Sequence, residues 1–374
     1  MTETLRIAVV APIMVRYDAI SRAAFDTIRA LEQPGRVVQH FGAACDFPSV
    51  QHRPCDTVAD LLLDPHYRAA NVAIFHFGIH HSLFDALLVG GPPLNIVAFH
   101  NVTPPQFVAP AERPLIERSL QQVNTLRRAN EIWAVSPANA TMLHEHGFDP
   151  ARIRIVPLVV EDPAPARLAS KTNSPIELLC MGRIAPSKGL HDLIAAMTRL
   201  GLSPGSVVLT IAGNTSWSDP HYLQRLRDLI ETNSLQHVVR FSGTIDDAER
   251  ERLFHAAHVL VAPSYHEGFC RPVAEGLRAG CIPLVYDAYN LPLIAAGLGR
   301  VVPPGDIDAL AASIAALARA LPHALQAPHE ALLELDRGPT SVLNFDDLAA
   351  AHVATFSADA VGGAVRTRLA DLLG

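Results

Sequence analysis

Ile176-Glu177-Leu178-Leu179-Cys180-Met181-Gly182-Arg183-Ile184-Ala185-Pro186-Ser187-Lys188-Gly189-Leu190 runs from an apolar stretch through a glycine-bounded turn into an amphipathic segment. Residues 176–181 read as a buried strand and 190–198 as the helix that follows it. Gly182 and Gly189 permit close backbone approach. Arg183 and Lys188, on either side of Pro186, can bring a guanidinium and an ammonium to one diphosphate near a helix N-terminus. The turn is neither G-x-G-x-x-G nor a Walker A loop. On spacing alone a second reading stands beside the first, in which both cations are solvated loop charges.

The same strand–turn–helix alternation extends outward in both directions. Short runs rich in Val, Ile and Leu separate longer amphipathic segments, the pattern of a parallel sheet covered by helices on both faces. The spacing predicts strands at 6–11, 37–41, 72–75, 95–99, 131–135 and 154–156, then at 176–181, 207–212, 238–241, 258–262, 282–286 and 300–302. Between the two series periodicity lapses around Pro157, Pro163, Pro165 and Pro175, which reads as an interdomain hinge. The expected division is an α/β domain over 1–160, a linker over 161–175, a second α/β domain over 176–345 and C-terminal helices over 346–374 that pack back on the first domain. Helices are predicted at 306–320, 345–356 and 364–373.

Composition is consistent with two cores: 374 residues, 49% hydrophobic and 18% charged. A net charge of -7 supplies no basic field for nucleic acid. The five cysteines form no C-x-x-C pair, which argues against a disulfide framework and a thiolate metal site. Residues 1–10 enter a strand without the basic and apolar regions of a signal peptide, and no apolar run reaches the roughly 20 residues of a membrane span. The reading is a cytoplasmic protein, with contact to the inner face of the membrane left open.

A second informative stretch is Pro263-Ser264-Tyr265-His266-Glu267-Gly268-Phe269-Cys270-Arg271-Pro272-Val273-Ala274-Glu275-Gly276. With Glu267 in a turn and Glu275 in the next helix, two carboxylates can accept bonds from hydroxyls at separate places on one ligand, and Gly268 lets backbone amides approach it. The alternative is a solvated helix face with an acid near its N-terminus.

Together the two stretches resemble the signature of glycosyltransferase family 4, whose members have the GT-B fold of two facing Rossmann-like domains with a donor cleft between them. The resemblance covers nearly all of the second domain and includes Ile211-Ala212-Gly213, Phe241-Ser242-Gly243 and Val301-Val302-Pro303-Pro304-Gly305-Asp306. Phe99-His100-Asn101-Val102-Thr103-Pro104-Pro105 resembles a polysaccharide-assembly branch. The resemblance implies that Arg183 and Lys188 neutralise the donor diphosphate, beside Gly182 and Gly213. It implies that Glu275 holds the ribose and that Glu267, with the amides of Gly268, Phe269 and Cys270, holds the sugar. It also implies that His100 contacts that sugar from the first domain. The implied activity is retaining transfer of a hexose from GDP-mannose or a UDP-hexose to a glycan or lipid-linked acceptor, with no cofactor, no metal and no enzyme nucleophile.

The chain departs from the family at 10–18, where the turn after the first strand lacks glycine. That segment is expected to shape the acceptor side, with Arg16, Asp18 and His80 as candidate contacts, exposed loop charges being the competing reading for Arg16 and Asp18. His76, His80 and His81 are read as acceptor-pocket or structural histidines rather than metal ligands, since Gly78 interrupts them and no further ligand stands at the right spacing. His144 and His146 read as partners of a helix C-terminus. Phe269 and Trp133 could stack on a base or sugar, although Trp133 fits a core strand. Arg113, Arg118, Arg127 and Arg128 form a basic face that reads as solvated or as lipid-facing. Two other functions compete: a nucleotide-sugar epimerase of similar fold and a two-lobed small-molecule binding protein.

Overall fold

The alternating runs form two all-parallel sheets in a computed structural model that describes residues 4–203, 205–213 and 218–374. The first sheet draws on β1 (Leu5–Val10), β3 (Arg36–Gly42), β5 (His52–Pro54), β6 (Val72–Phe77), β7 (Leu94–Phe99), β8 (Glu131–Ala134) and β9 (Ile153–Ile155). Its strand order is β5-β3-β1-β6-β7-β8-β9. The two-residue strands β2 (Ile13–Met14) and β4 (Ala44–Cys45) pair beside it. The second sheet has β10 (Ile176–Met181), β11 (Val207–Ala212), β12 (Val239–Gly243), β13 (Val259–Ala262), β14 (Ile282–Tyr286) and β15 (Arg300–Val302), ordered β12-β11-β10-β13-β14-β15. A hairpin of β16 (Leu332–Leu335) and β17 (Gly338–Ser341) follows. In both sheets the order reverses beside the first strand, between β1 and β6 and between β10 and β13. Ligands of open α/β sheets bind at such switch points, beyond the carboxyl ends of the strands.

The helices are α1 (Ala19–Leu31), α2 (Val58–Leu63), α3 (Pro65–Arg68), α4 (Ala86–Val89), α5 (Arg113–Gln122), α6 (Pro137–Glu145) and α7 (Leu190–Met197). They continue with α8 (Pro220–Thr232), α9 (Asp247–Ala256), α10 (Arg271–Arg278), α11 (Leu291–Ala295), α12 (Ile307–Gln326), α13 (Val342–Ala354) and α14 (Ala358–Leu373). The chain divides into a first unit of residues 1–105, 110–159 and 356–374 and a second of 106–109 and 160–355. The expected break at 345/346 thus falls inside α13. That helix stays with the second unit, where buried Asp346 accepts the amides of Leu168 (2.7 Å) and Ala169 (3.2 Å).

Helix α14 belongs to the first unit. Val361, Val365 and Leu369, spaced four apart, bury one face, each worth about 1.5–3 kcal/mol if fully buried. Arg368 clasps the buried carboxylate of Glu131, which also accepts a bond from Trp133 Nε1 at 2.8 Å. Residues 342–373 are together long and apolar enough to cross a membrane, but Ser357 caps a new helix at Ala358 and separates the two parts.

Residues 161–175, expected as a linker, are fastened to the second unit. Pro163 O accepts from Arg278 Nε at 2.8 Å, and Ala166 N donates to Arg278 O at 3.0 Å. Half-buried Lys171 donates to the carbonyls of Phe254 and Ala257. A Cβ on Gly280 would lie 2.4 Å from Leu168 N, so Gly280 admits the segment. Its sequence lacks periodicity because backbone and side-chain bonds, rather than an amphipathic face, hold it.

Candidate functional site

At the switch point of the second sheet, two loops are locked together. After β10, Gly182 takes φ +145 and donates to Ala212 O at 2.9 Å. A Cβ on Gly213 would lie 1.9 Å from Gly182 O, so only glycine fits there. The turn ends at Gly189, φ +61, where a Cβ would meet Pro263 O at 2.0 Å. After β13, Tyr265 N donates to Ser187 O at 2.8 Å. The hydroxyls of Tyr265 (2.5 Å) and Tyr286 (2.8 Å) both donate to Oδ2 of buried Asp192 in the first turn of α7. The two loops therefore hold each other at fixed separation.

This clamp brings Lys188 Nζ to 2.5 Å from Glu267 Oε1, with side-chain exposures of 20% and 13%. Burial pushes the Glu267 carboxyl up, but the Lys188 charge with hydrogen bonds from Lys188 and Ser264 outweighs it, leaving the group below its usual range. A cavity of about 10 Å³ lies here, lined in part by Gly182, Arg183, Lys188, Ser264, Glu267 and Cys270. Arg183 is exposed at its rim and has no ion-pair partner among the described residues. Burial lowers neighbouring His266 to about 4, and its Nε2 is buried without a hydrogen-bond partner.

Cys270 is held at φ +67, left-handed and uncommon for a side chain other than Asn or Asp. Burial raises its thiol well above the usual range, with the Glu267 charge adding to the effect. Asn290 Nδ2 donates to Phe269 O at 2.9 Å and braces the loop before α10. Phe269 is 5% exposed and Trp133 is 2% exposed, so both rings pack in the protein rather than standing open for stacking.

Glu275 sits in α10, outside this cavity, and its Oε1 is claimed twice, by Arg250 Nη2 at 2.6 Å and Arg271 Nε at 3.3 Å. Nη1 of Arg271 is buried without a partner. Neither arginine was singled out by sequence. Arg250 reaches Glu275 from α9, a tertiary pairing with no local signal, whereas Arg271–Glu275 has the i,i+4 spacing that could have revealed it. Asp192, Tyr265, Tyr286 and Asn290 were missed too, each acting through its fold neighbours.

The first unit's candidates are scattered by comparison. His100 follows β7, and its Nε2 is 3.0 Å from Nδ1 of buried His76. Asp18 is not a free loop charge: its Oδ2 accepts from Ser21 N and Ser21 Oγ, both at 2.7 Å, capping α1. Arg16 is exposed, and its amide lies 3.3 Å from Asp46 Oδ2. His80 N donates to Ser119 Oγ at 2.8 Å, while His81 Nδ1 accepts from Leu83 N. The three histidines of 76–81 thus serve different elements, and no metal-holding cluster of three His, Cys, Asp or Glu exists among the described residues. His146 Nδ1 bonds Met142 O at 2.8 Å at the end of α6, as a helix C-terminus favours. Arg127 donates to Gly147 O and lies 4.4 Å over the Phe148 ring, so it is not part of a free basic face.

Residues 165–324 match the family described as Glycosyl transferases group 1. The O-antigen chain mannosyltransferase B of Escherichia coli is 28% identical over 36% of this chain and 35% of its own length. The glycogen synthase of Mycobacterium tuberculosis is 34% identical over 37% of this chain and 33% of its own. The chain therefore spans about a third of the length of these curated relatives. The crystal structure of Anabaena HepE in complex with UDP superimposes with a TM-score of 0.68 at 16% identity, over 98% of this chain and 100% of that one. With both switch points and the glycine-bounded turn in place, the chain has the GT-B fold, and its residues 165–324 are similar to the group 1 glycosyl transferases.

Proposed function

We propose that the protein is a retaining glycosyltransferase that moves a hexose from a nucleoside diphosphate sugar, GDP-mannose or a UDP-hexose, to a glycan or lipid-linked acceptor. The observation that carries this reading is the Lys188–Glu267 pair at 2.5 Å at the second unit's switch point, with Arg183 uncommitted at the same cavity. A partly buried ion pair is a poor source of stability, because desolvation offsets its attraction. It is a good source of preorganised charge. The names of two similar proteins, an O-antigen mannosyltransferase and a structure in complex with UDP, support the choice of donor and acceptor classes.

In this reading the bond between the anomeric carbon and the diphosphate oxygen breaks as negative charge gathers on the leaving group. Lys188 keeps one N–H on Glu267 and turns others to the diphosphate, while Arg183 adds a guanidinium fork. Glu267, held ionised by Lys188, accepts hydroxyls of the sugar, and the amides of Gly268 and Cys270 approach the donor. Glu275 reaches the ribose through the oxygen its arginines leave open, and His100 contacts the sugar. The acceptor oxygen attacks on the face the diphosphate leaves and passes its proton to a diphosphate oxygen. Two cations, Lys188 held on Glu267 and Arg183 at the rim, supply the charge stabilisation a divalent metal would otherwise provide, so transfer proceeds without one. All five cysteines are free thiols, which fits work in the cytoplasm, against the inner face of the membrane for a lipid-linked acceptor.

Thermal unfolding in the presence of GDP, UDP or ADP tests the donor assignment, since a ligand of the native state raises the midpoint by mass action. One diphosphate should stabilise the wild type and lose most of that effect in Arg183→Ala. Indifference to all three would contradict the reading.

A further inference from the structure

The first unit contains two histidine pairs, and their surroundings differ in a way that bears on His100. In the pair formed by His40 and His52, with Nδ1 atoms 3.0 Å apart, His40 Nε2 lies 2.9 Å from Ala11 O. A carbonyl only accepts, so Nε2 of His40 carries the proton and its Nδ1 takes one from His52. In the pair of His76 and His100 no carbonyl decides. Register places His76 opposite Ala98, and with the period of two His100 is the next residue on that face. The rings stack at 5.2 Å with Nδ1 of His76 3.0 Å from Nε2 of His100. They line a cavity of about 40 Å³ together with Thr27, Ala98 and Trp133.

Burial keeps both rings neutral, lowering His100 to about 4 and His76 well below its usual value; a proton on His100 or His40 would depress His76 further, while Asp18 opposes the shift of His100. A single proton therefore lies between the two nitrogens. His76 Nε2 is buried without a hydrogen-bond partner. If His76 accepted from His100, its own proton would sit on that enclosed nitrogen as an orphaned N–H, the buried group proteins most consistently avoid.

We infer that His76 donates from Nδ1 to Nε2 of His100 and thereby fixes His100 as the tautomer that presents Nδ1–H, a hydrogen-bond donor, to the donor sugar. His76 is then a positioning residue that never touches substrate. The inference rests on the sugar contact proposed for His100. A donor on Nδ1 matches an oxygen acceptor on the sugar and rejects a ligand group that can only donate.

Long-range proton–nitrogen spectra of the full chain with ¹⁵N-labelled histidine, assigned by His100→Gln, read the tautomer directly. The expected spectrum has His100 protonated on Nδ1 in the wild type and in His76→Asn, whose amide N–H replaces the lost donor. His76→Leu should shift His100 toward Nε2–H and lower kcat/KM about tenfold, the scale of one hydrogen bond, with nucleoside diphosphate affinity unchanged. His76→Asn should restore activity to within about threefold. A wild-type His100 protonated on Nε2 overturns the inference, and so does a His76→Leu protein with unchanged tautomer and activity. Should the tautomer be as stated while His100→Gln transfers sugar at the wild-type rate, the sugar contact falls and the tautomer assignment stands.

Discussion

Two switch points with the same strand order end in opposite chemistry. After β10 the turn is bounded by Gly182 and Gly189, and α7 begins at Gly189 with no side-chain cap. After β1 the turn has no glycine, and α1 begins under the carboxylate of Asp18. An uncapped helix start leaves N–H groups open to an anion, and the acid in the first turn of α7, Asp192, is buried under two tyrosine hydroxyls, whereas Asp18 places its carboxylate on the N–H groups at the start of α1. Lys188 and Arg183 stand beside the open turn, while the other carries exposed Tyr17 at φ +64 and Arg16. In the proposed reading the strand order is therefore not what selects phosphate. What separates the two turns is the acidic cap on α1 and the glycines that bound the turn after β10; close backbone contact is common to both, since a Cβ on Gly42 would lie 2.1 Å from Ala11 O.

Breaking the second turn should have the largest effect. Gly189→Ala forces a Cβ to 2.0 Å from Pro263 O at a left-handed φ and should destabilise the protein by about 3 kcal/mol in urea unfolding. Removing the charge instead of the turn, Lys188→Ala should fold but lose about a hundredfold in kcat, with little rescue by magnesium. Arg183→Lys should also fail, for lack of a planar fork. Glu275→Gln should weaken nucleoside diphosphate binding by about 1.5 kcal/mol in calorimetry while sparing the fold better than Glu275→Ala, which strands Arg250 and Arg271. On the other side of the comparison, Asp18→Ala should cost about 1 kcal/mol of stability through the lost cap and leave nucleoside diphosphate affinity unchanged. A loss of that affinity equal to that of Lys188→Ala would erase the contrast.

The shallowest effect is with pH. His100 in the first unit and His266 in the second titrate near 4 when folded and near 6.5 when unfolded. Between those values the unfolded chain binds more protons, so stability is lost as pH falls through that window. Each should cost about half a kcal/mol between pH 7 and 6, measurable as a lower urea midpoint. Glu267 acts below that range: its depressed pKa contributes stability that is present above the usual carboxylate value and lost as pH falls further.

Strands were legible where a run was both apolar and enclosed: 176–181, 207–212, 282–286 and 300–302 have the predicted bounds. The hairpin β16–β17 was not, because its residues alternate between buried and exposed over only four positions and its anchor is tertiary, Val301 N on Asp336 Oδ2 at 2.8 Å. Helix α12 runs past its expected end at 320 and through Pro322, which a local breaker rule does not anticipate. The turn residues Gly182, Arg183, Lys188 and Glu267 could be read as a group because each loop lies within a few residues of a strand end. Their mutual geometry could not, since it depends on Asp192 meeting Tyr265 and Tyr286 from three separate elements. The capping role of Asp18 was not legible, because Asp three residues before Ser21 is equally a loop acid or a cap until the helix start is known.

The central claim is front-face transfer at the Arg183–Lys188 turn, and NMR of the anomeric proton in the first product, before any rearrangement, tests it most directly. The account predicts a new linkage with the anomeric configuration of the donor sugar. An inverted linkage would contradict it.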